Sequence, residues 1–167
     1  MPDNGFVVEG LTQIGYAARS LYPVYVPGTY ITSSYFGNLG YAYPTALGVK
    51  VAQPHRAVAA ISGDGGFLFN SQELATAVKY GINAVVIVFN DNAYGNVLRD
   101  QKAAFNGRAI GSELHNPDFV KLAEAYGARG VRAAGPERLE AALREALATD
   151  APTLIEVPEV VQRRRRR

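Results

Sequence analysis

Two aspartates, Asp64 and Asp91, are the residues of this chain whose type and placement point to chemistry. The first lies in Gly63-Asp64-Gly65-Gly66 and the second in Asn90-Asp91-Asn92. Carboxylate oxygens are hard ligands that suit Mg²⁺, which commonly shares its coordination with phosphate oxygens. Taken alone, the glycine cluster is typical of a surface turn. The second acid, in an equivalent position after the next strand, turns the pair into a candidate site.

The elements around the two acids predict that they lie close together. Apolar runs at 57–62 and 84–89 end at the two clusters, and residues 71–80 between them have the pattern of a helix. A right-handed crossover makes two such strands parallel, so both turns open on the same edge of the sheet. This edge is where open α/β sheets bind ligands. No G-x-G-x-x-G follows a strand, so a Rossmann dinucleotide site is not favoured.

The two clusters and their separation resemble the cofactor motif of thiamine-diphosphate enzymes. The resemblance extends from about Pro2 to Pro158. It is strongest to the C-terminal, diphosphate-binding domain of the acetolactate synthase, pyruvate oxidase and benzoylformate decarboxylase group. Three further stretches support it: residues 36–41 with Pro44, residues 71–77, and residues 116–119. The family often has Asn where this chain has Asp91, a change that alters charge but keeps an oxygen ligand.

The resemblance implies two cofactors, thiamine diphosphate and Mg²⁺. The metal ligands would be the side chains of Asp64 and Asp91 and the backbone carbonyl of Ala93. Leu39 would hold the cofactor in a bent shape, and the carbonyl of Gly37 would accept a hydrogen bond from its amine. The implied cofactor-binding residues are Gly37, Leu39, Gly63, Asp64, Gly65, Gly66, Asp91, Ala93, Tyr94, Gly95 and Asn96.

The glutamate that activates the cofactor is not found in this chain. In the family it belongs to a separate pyrimidine-binding domain, and nothing here resembles that domain or the family's middle domain. The implied partners are a 2-oxo acid substrate and a pyrimidine-binding domain or subunit, in an oligomer. The chain would bind the cofactor and turn over little alone. An excised domain, a split enzyme and a fragment kept for another purpose all remain open.

A non-catalytic scaffold that assembles through a tyrosine-rich face is the alternative function. Six tyrosines fall between Tyr22 and Tyr43, where they suit core or interface packing. A decayed site should have lost one of the two aspartates, and both are present. His55 and His115 are interpreted as solvated histidines, and neither Glu9 nor Glu73 has a sequence neighbour that marks it as a base.

Composition excludes several other classes of protein. The 167 residues suit one domain, and 48% hydrophobic content is ordinary for a globular chain. There is no Cys, hence no disulfide or thiolate chemistry. No apolar run predicts a membrane helix and the N-terminus lacks a signal-peptide pattern, so the cytoplasm is the expected compartment.

The net charge is +2, but it depends on five arginines at 163–167. They are interpreted as a solvated or appended tail, with binding of nucleic acid or another anionic polymer as the less favoured reading.

Alternating strands and helices predict the fold. We expect an α/β protein: a three-layer α/β/α sandwich with a mainly parallel, doubly wound sheet of about six strands. The domain would cover residues 1–158 and the tail residues 159–167. Asn70 with Glu73 is predicted to cap one helix as a capping box, and Asn116 to cap another. Predicted strands are 6–8, 25–31, 57–62, 84–89 and 153–157, and predicted helices are 12–21, 40–51, 71–80, 116–126 and 136–148.

Overall fold

A computed structural model describes residues 1–33 and 35–158 of the chain. The predicted arginine tail lies outside the described residues. Six strands are present: β1 Phe6–Glu9, β2 Tyr30–Thr32, β3 Val58–Gly63, β4 Val85–Asn90, β5 Arg129–Arg132 and β6 Thr153–Pro158. The helices are α1 Gln13–Leu21, α2 Ala42–Ala52, α3 Asp64–Leu68, α4 Glu73–Tyr80, α5 Gly95–Ala104, α6 Phe119–Ala125 and α7 Pro136–Ala148.

The six described strands form one sheet in the order β2-β1-β3-β4-β6-β5, with every pair parallel. In register, Val8 pairs with Ala60 and Ile61 with Ile87. The chain moves outward from β1 to β2, then returns to the other side of β1 to form β3. The strand order therefore reverses between β1 and β3, and such a switch point opens a crevice at the carboxyl ends of the strands.

Central strand β4 is apolar on both faces because helices cover both. Val86 and Val88 belong to a core cluster that includes residues of α2, α4 and α6. Val85 and Ile87, which point the other way, belong to a second cluster with α7. Leu139, Leu143 and Leu147, spaced by four along α7, pack against this second cluster. The predicted three-layer α/β fold is confirmed, and the sheet is wholly parallel among the described strands.

Several local predictions were wrong. The β-rich stretch 25–31 forms a strand only from Tyr30, because a turn precedes it in which the Thr29 hydroxyl donates to the Val26 carbonyl oxygen at 2.7 Å. Helix α4 begins at Glu73 without a side-chain cap. The side chain of Asn70 instead donates to the Gly40 carbonyl oxygen at 2.7 Å, which ties residues 36–40 to the α3–α4 turn. Strand β5 was not predicted.

The cap of α6 also differs from the prediction. Asp118, not Asn116, is the N-cap, and its Oδ1 accepts hydrogen bonds from the backbone N–H groups of Val120 (3.0 Å) and Lys121 (3.2 Å). A carboxylate at this position satisfies free N–H groups and matches the helix dipole. Asn116 is thereby left for a different contact, described below. Within the described residues, no helix is both long and apolar enough to cross a membrane.

Candidate active site

A cavity of about 260 Å³ opens at the carboxyl ends of β1, β3 and β4. Its lining includes every predicted site residue except Gly37, and it adds Leu11, Thr12, Gln13, Tyr16, Phe89 and Val97. Gly37 adjoins the wall: a Cβ placed on it would lie 3.5 Å from Cδ1 of Leu11. The structure thus brings the two acidic clusters together, and it also brings in the β1–α1 turn, which the sequence did not single out.

The Gly63-Asp64-Gly65-Gly66 cluster is the junction of β3 and α3. Gly63 is extended, and the helix begins at Asp64 without an intervening loop. Glycine is required at position 65 because Tyr94 and Leu114 approach its Cα closely. A Cβ there would lie 2.8 Å from Cδ1 of Tyr94 and 3.0 Å from Cδ1 of Leu114. The glycine lets the second acidic cluster pack directly over this junction. Residues 63–66 and 90–94, which carry the predicted metal ligands, are called the first and the second ligand turn.

Asp64 is almost completely enclosed by protein. Only 2% of the residue is exposed. Its Oδ1 accepts from the backbone N–H of Gly65 at 2.8 Å, and its Oδ2 accepts from Nδ2 of Asn116 at 2.6 Å. Such partners offset the cost of burying a carboxylate. These bonds also fix the direction in which its remaining lone pairs point.

Asp91 faces the same cavity in a turn of its own. Burial, and next the negative charge of Asp64, raise the pKa of Asp91 above its ordinary value. Its Oδ1 accepts from the backbone N–H of Ala93 at 3.1 Å, which partly offsets that rise. A Cβ on Gly95 would lie 2.5 Å from Asp91 Oδ2, so glycine is needed beside the carboxylate. The raised pKa of Asp91 therefore reflects first its burial and second its proximity to the charge of Asp64.

A short antiparallel bridge between Ala93 and Glu113 supports the second ligand turn. Its hydrogen bonds run from Tyr94 N to Ser112 O at 2.8 Å and from Leu114 N to Asn92 O at 2.7 Å. Bonds on both sides of a bridged pair leave the pair's own N–H and C=O groups facing away from the partner. The N–H of Ala93, which is not used by the bridge, donates to Oδ1 of Asp91 at 3.1 Å.

The backbone amides of the two turns are not equally free to bind an anion. The N–H of Gly65 already donates to Asp64, and the N–H of Tyr94 already donates to Ser112. Of the five amides that the sequence suggested, those of Gly66, Gly95 and Asn96 are left, and they precede the first intrahelical bonds of α3 and α5. A diphosphate would therefore be bound by these three amides rather than by all five that the sequence suggested.

The donor set fits Mg²⁺ and thiamine diphosphate. Two carboxylates line the cavity, and no Lys or Arg does so in the part of the chain that the structure describes. A divalent cation would relieve the repulsion between the aspartates and would supply the positive charge that a diphosphate needs. No group of three or more His, Cys, Asp or Glu side chains that could hold a metal occurs among the described residues. The remaining ligands would be backbone, phosphate or water oxygens, as is usual for Mg²⁺.

Sequence reasoning missed a polar network behind Asp64. Nδ2 of Asn116 donates to Oδ1 of Asn90 at 2.8 Å as well as to Asp64. Nδ2 of Asn90 donates to Oε1 of Glu156 at 2.8 Å, and Oε2 of Glu156 accepts from Nε of Arg132 at 2.7 Å. The only signal in the sequence was the Asn-Pro-Asp stretch, which suggested a helix cap. The contact between Asn116 and Asp64 joins residues that are 52 positions apart, and a local sequence pattern does not reveal it.

The other candidate residues lie outside the cavity lining. Glu9 is buried and accepts hydrogen bonds from the Arg19 guanidinium (2.6 and 3.2 Å) and the Tyr30 hydroxyl (2.8 Å), so it is ion-paired within the fold. Burial, and next the hydrogen bond to Glu9, raise the pKa of Tyr30. His55 and His115 are exposed, as expected of solvated histidines.

The raised pKa of Asp91 gives a pH-dependent prediction. A folded-state pKa above the unfolded value means that the folded chain gains stability as the pH falls through it. Without metal, Asp91→Asn should therefore be more stable than the wild-type chain at neutral pH, and the difference should shrink as the pH falls. Urea unfolding of both chains between pH 7 and pH 4 in EDTA measures this. Equal stability of the two chains at neutral pH would contradict the burial and the like-charge repulsion described for Asp91.

The parallel sheet, the switch-point cavity and its paired aspartates define a cofactor-binding α/β domain of the kind found in thiamine-diphosphate enzymes. Residues 10–157 match the family described as "Thiamine pyrophosphate enzyme, C-terminal TPP binding domain". The chain belongs to this family.

Relatives and solved structures agree with that assignment. The chain is 41% identical over 144 residues to an acetolactate synthase large subunit of Haemophilus influenzae, covering 86% of this chain and 25% of the relative. It is 40% identical over 135 residues to a probable acetolactate synthase large subunit of Methanocaldococcus jannaschii, covering 79% of this chain and 22% of the relative.

A solved structure, the thiamine diphosphate-dependent 4-hydroxybenzoylformate decarboxylase of Rhodococcus jostii RHA1, superposes with a TM-score of 0.86. It is 36% identical, and the match covers 94% of this chain and 30% of that one. The chain therefore spans about a quarter of the length of these two acetolactate synthase relatives.

Proposed function

We propose that the chain binds thiamine diphosphate together with Mg²⁺, as the diphosphate-binding part of an enzyme that acts on 2-oxo acids. The observation that carries the proposal is the pair Asp64 and Asp91 at one cavity whose described lining has no basic side chain. The two carboxylates and the carbonyl of Ala93 are the protein ligands of Mg²⁺. A metal held by these residues would supply the positive charge that the anionic cofactor needs at an otherwise acidic site.

The rest of the cavity orients the cofactor. The amides of Gly66, Gly95 and Asn96 bind the phosphates, while Leu39 and the neighbouring Gly37 hold the opposite half. When bound, thiamine diphosphate supplies a nucleophilic carbon that adds to the carbonyl of a 2-oxo acid and accepts the electron pair left by CO₂. The protein's part is binding, orientation and exclusion of water.

Part of the surface near Gly37 suits a partner domain. Tyr35 is 93% exposed and Phe36 is 88% exposed, and both immediately precede the segment that carries Gly37 and Leu39. We propose that a pyrimidine-binding domain or subunit with the activating glutamate covers these aromatic rings. The same rings would serve the scaffold alternative, so they support a partner without deciding between the two functions.

Calorimetric titration with thiamine diphosphate tests the proposal directly. We expect binding in the presence of Mg²⁺ and none in EDTA, because the acidic lining repels a diphosphate that brings no cation. Titration with thiamine, which lacks the phosphates, is the matched control and should show no dependence on Mg²⁺. Equal binding with and without the metal would contradict the proposed site. No binding in either condition would mean that the isolated chain needs the partner domain to hold the cofactor, or that the fold serves assembly alone.

The isolated chain should not decarboxylate 2-oxo acids at an appreciable rate. The group that activates the cofactor is assigned to another domain, and no carboxylate other than Asp64 and Asp91 lines the described cavity. Release of CO₂ from pyruvate and from benzoylformate, with saturating cofactor and Mg²⁺, measures this. A full-length acetolactate synthase large subunit is the positive control for pyruvate. Turnover by the pure chain would refute the assignment.

A further inference from the structure

We infer that Asn116 is a positioning residue, which fixes the orientation of the Asp64 carboxylate for metal binding; this inference rests on the proposed function. One amide nitrogen makes both contacts. Nδ2 of Asn116 donates to Oδ2 of Asp64 at 2.6 Å and to Oδ1 of Asn90 at 2.8 Å. Asn116 does not line the cavity itself, so it acts through Asp64.

The orientation of this amide is determined by carboxylates at both ends of the network. Asp64 can only accept, so the nitrogen of Asn116 must face it. Glu156 likewise can only accept, so the nitrogen of Asn90 faces Glu156 and its oxygen is left for Asn116. Reversing either amide would bring two acceptors together. Both hydrogens of the Asn116 amide are therefore used, and the side chain has one arrangement.

The network ends on rigid parts of the fold. Glu156 lies in β6 and is 4% exposed, and Arg132 of β5 donates to its second oxygen at 2.7 Å. Arg132 also donates to Asp118, the N-cap of α6, at 2.9 Å. Through Asn116, the carboxylate of Asp64 is thus connected to the three strands β4, β5 and β6 and to the start of a helix. Such connections restrict a ligand's rotation more than a contact with solvent does.

The stretch that carries Asn116 also supports the second ligand turn. Residues 112–114 pair with residues 92–94 by the two backbone hydrogen bonds of the Ala93–Glu113 bridge. A single segment, 112–116, therefore contacts both turns that carry the proposed ligands. Its placement sets the distance between the carboxylates as well as the direction of one of them.

The strict geometry of Mg²⁺ makes this positioning measurable. Mg²⁺ requires near-octahedral oxygens at about 2.0–2.1 Å, whereas Ca²⁺ accepts about 2.3–2.6 Å and irregular coordination. A carboxylate that turns freely should therefore lose affinity for Mg²⁺ more than for Ca²⁺. Outer contacts of this kind typically change metal affinity by about 10–100-fold.

The test compares Asn116→Ala with Asn83→Ala in the full chain. Asn83 is a close match that lies just before β4, at the amino ends of the strands and away from the cavity. It donates to the carboxylate of Asp150, and its Oδ1 is buried without a described partner, as is that of Asn116. Thiamine diphosphate is titrated at a series of Mg²⁺ concentrations and, separately, of Ca²⁺ concentrations. We expect Asn116→Ala to need about 10-fold or more Mg²⁺ for half-saturation, with a smaller change for Ca²⁺.

A merely structural role would give a different result. Loss of folded protein would weaken binding with Mg²⁺ and Ca²⁺ by the same factor, and Asn83→Ala would do the same at equal loss of stability. Equal factors for the two metals, or an unchanged Mg²⁺ requirement in Asn116→Ala, would overturn the inference.

Crystal structures of the metal-free wild-type chain and Asn116→Ala decide the same point without any ligand. The inference requires the Asp64 carboxylate to rotate or to become disordered in the variant, and an unchanged carboxylate would overturn it. If the wild-type chain binds no cofactor with Mg²⁺, the proposed binding fails for the isolated chain. The crystallographic comparison still tests whether Asn116 positions Asp64.

Discussion

Replacing Asp64 with Ala should abolish Mg²⁺-dependent binding of thiamine diphosphate. The substitution removes one of two carboxylates from a cavity whose described lining has no basic residue. Loss of an outer contact already changes metal affinity by about 10–100-fold, so loss of a ligand should exceed about 100-fold. Calorimetric titration at fixed Mg²⁺ measures the effect. The scaffold alternative predicts no change in assembly.

The control for this variant is Asp100→Ala. Asp100 lies on α5, its side chain is 74% exposed, and its ion pair with Arg99 is a surface contact at 3.5 Å. Surface pairs of this kind contribute little to stability, so the control should bind the cofactor as the wild-type chain does. Circular dichroism of both variants checks that they fold. A folded Asp64→Ala chain that still needs Mg²⁺ and still binds would show that the metal lies elsewhere.

The parts of the fold that depend on periodic burial could be predicted from the sequence. The run 84–89 is apolar on successive residues because β4 is covered on both faces, and this pattern is visible without the structure. Helix α7 was predicted with the bounds that it has, from Pro136 to Ala148. Strand β5 was missed because its Arg-Gly-Val-Arg sequence has no such run and it pairs with β6 alone, at the edge of the sheet.

Long-range polar contacts could not be predicted. Asn116 and Asp118 can both cap a helix, and local sequence does not say which one does. The choice is made by Asp64 and Asn90, which take the amide of Asn116 and leave the cap to Asp118. Likewise Asn70 suits a capping box, but its side chain donates to Gly40. In both cases a contact between distant segments outweighs a local preference.

Replacing Phe67 with Ala should cause a large loss of stability. Phe67 is 1% exposed, and its ring centroid lies 5.7 Å from that of Tyr43 and 5.9 Å from that of Phe119. Truncation leaves a cavity between α2, α3 and α6, and such changes reduce the free energy of unfolding by about 3–5 kcal/mol. Urea unfolding measures it, and Phe67→Leu, which retains much of the volume, keeps the fold measurable if Phe67→Ala does not fold.

Phe69, two residues along the chain, is the matched control because it is 56% exposed. Its replacement with Ala should change stability far less, and similar losses for the two variants would contradict the packing of α3. The same short helix begins with Asp64 and Gly65, so the ring of Phe67 also holds the first ligand turn against the sheet. A folded Phe67→Leu chain should therefore need more Mg²⁺ to bind thiamine diphosphate, whereas Phe69→Ala should not. This result would show that core packing and metal affinity are coupled, because the proposed ligand Asp64 and the core residue Phe67 belong to the same five-residue helix.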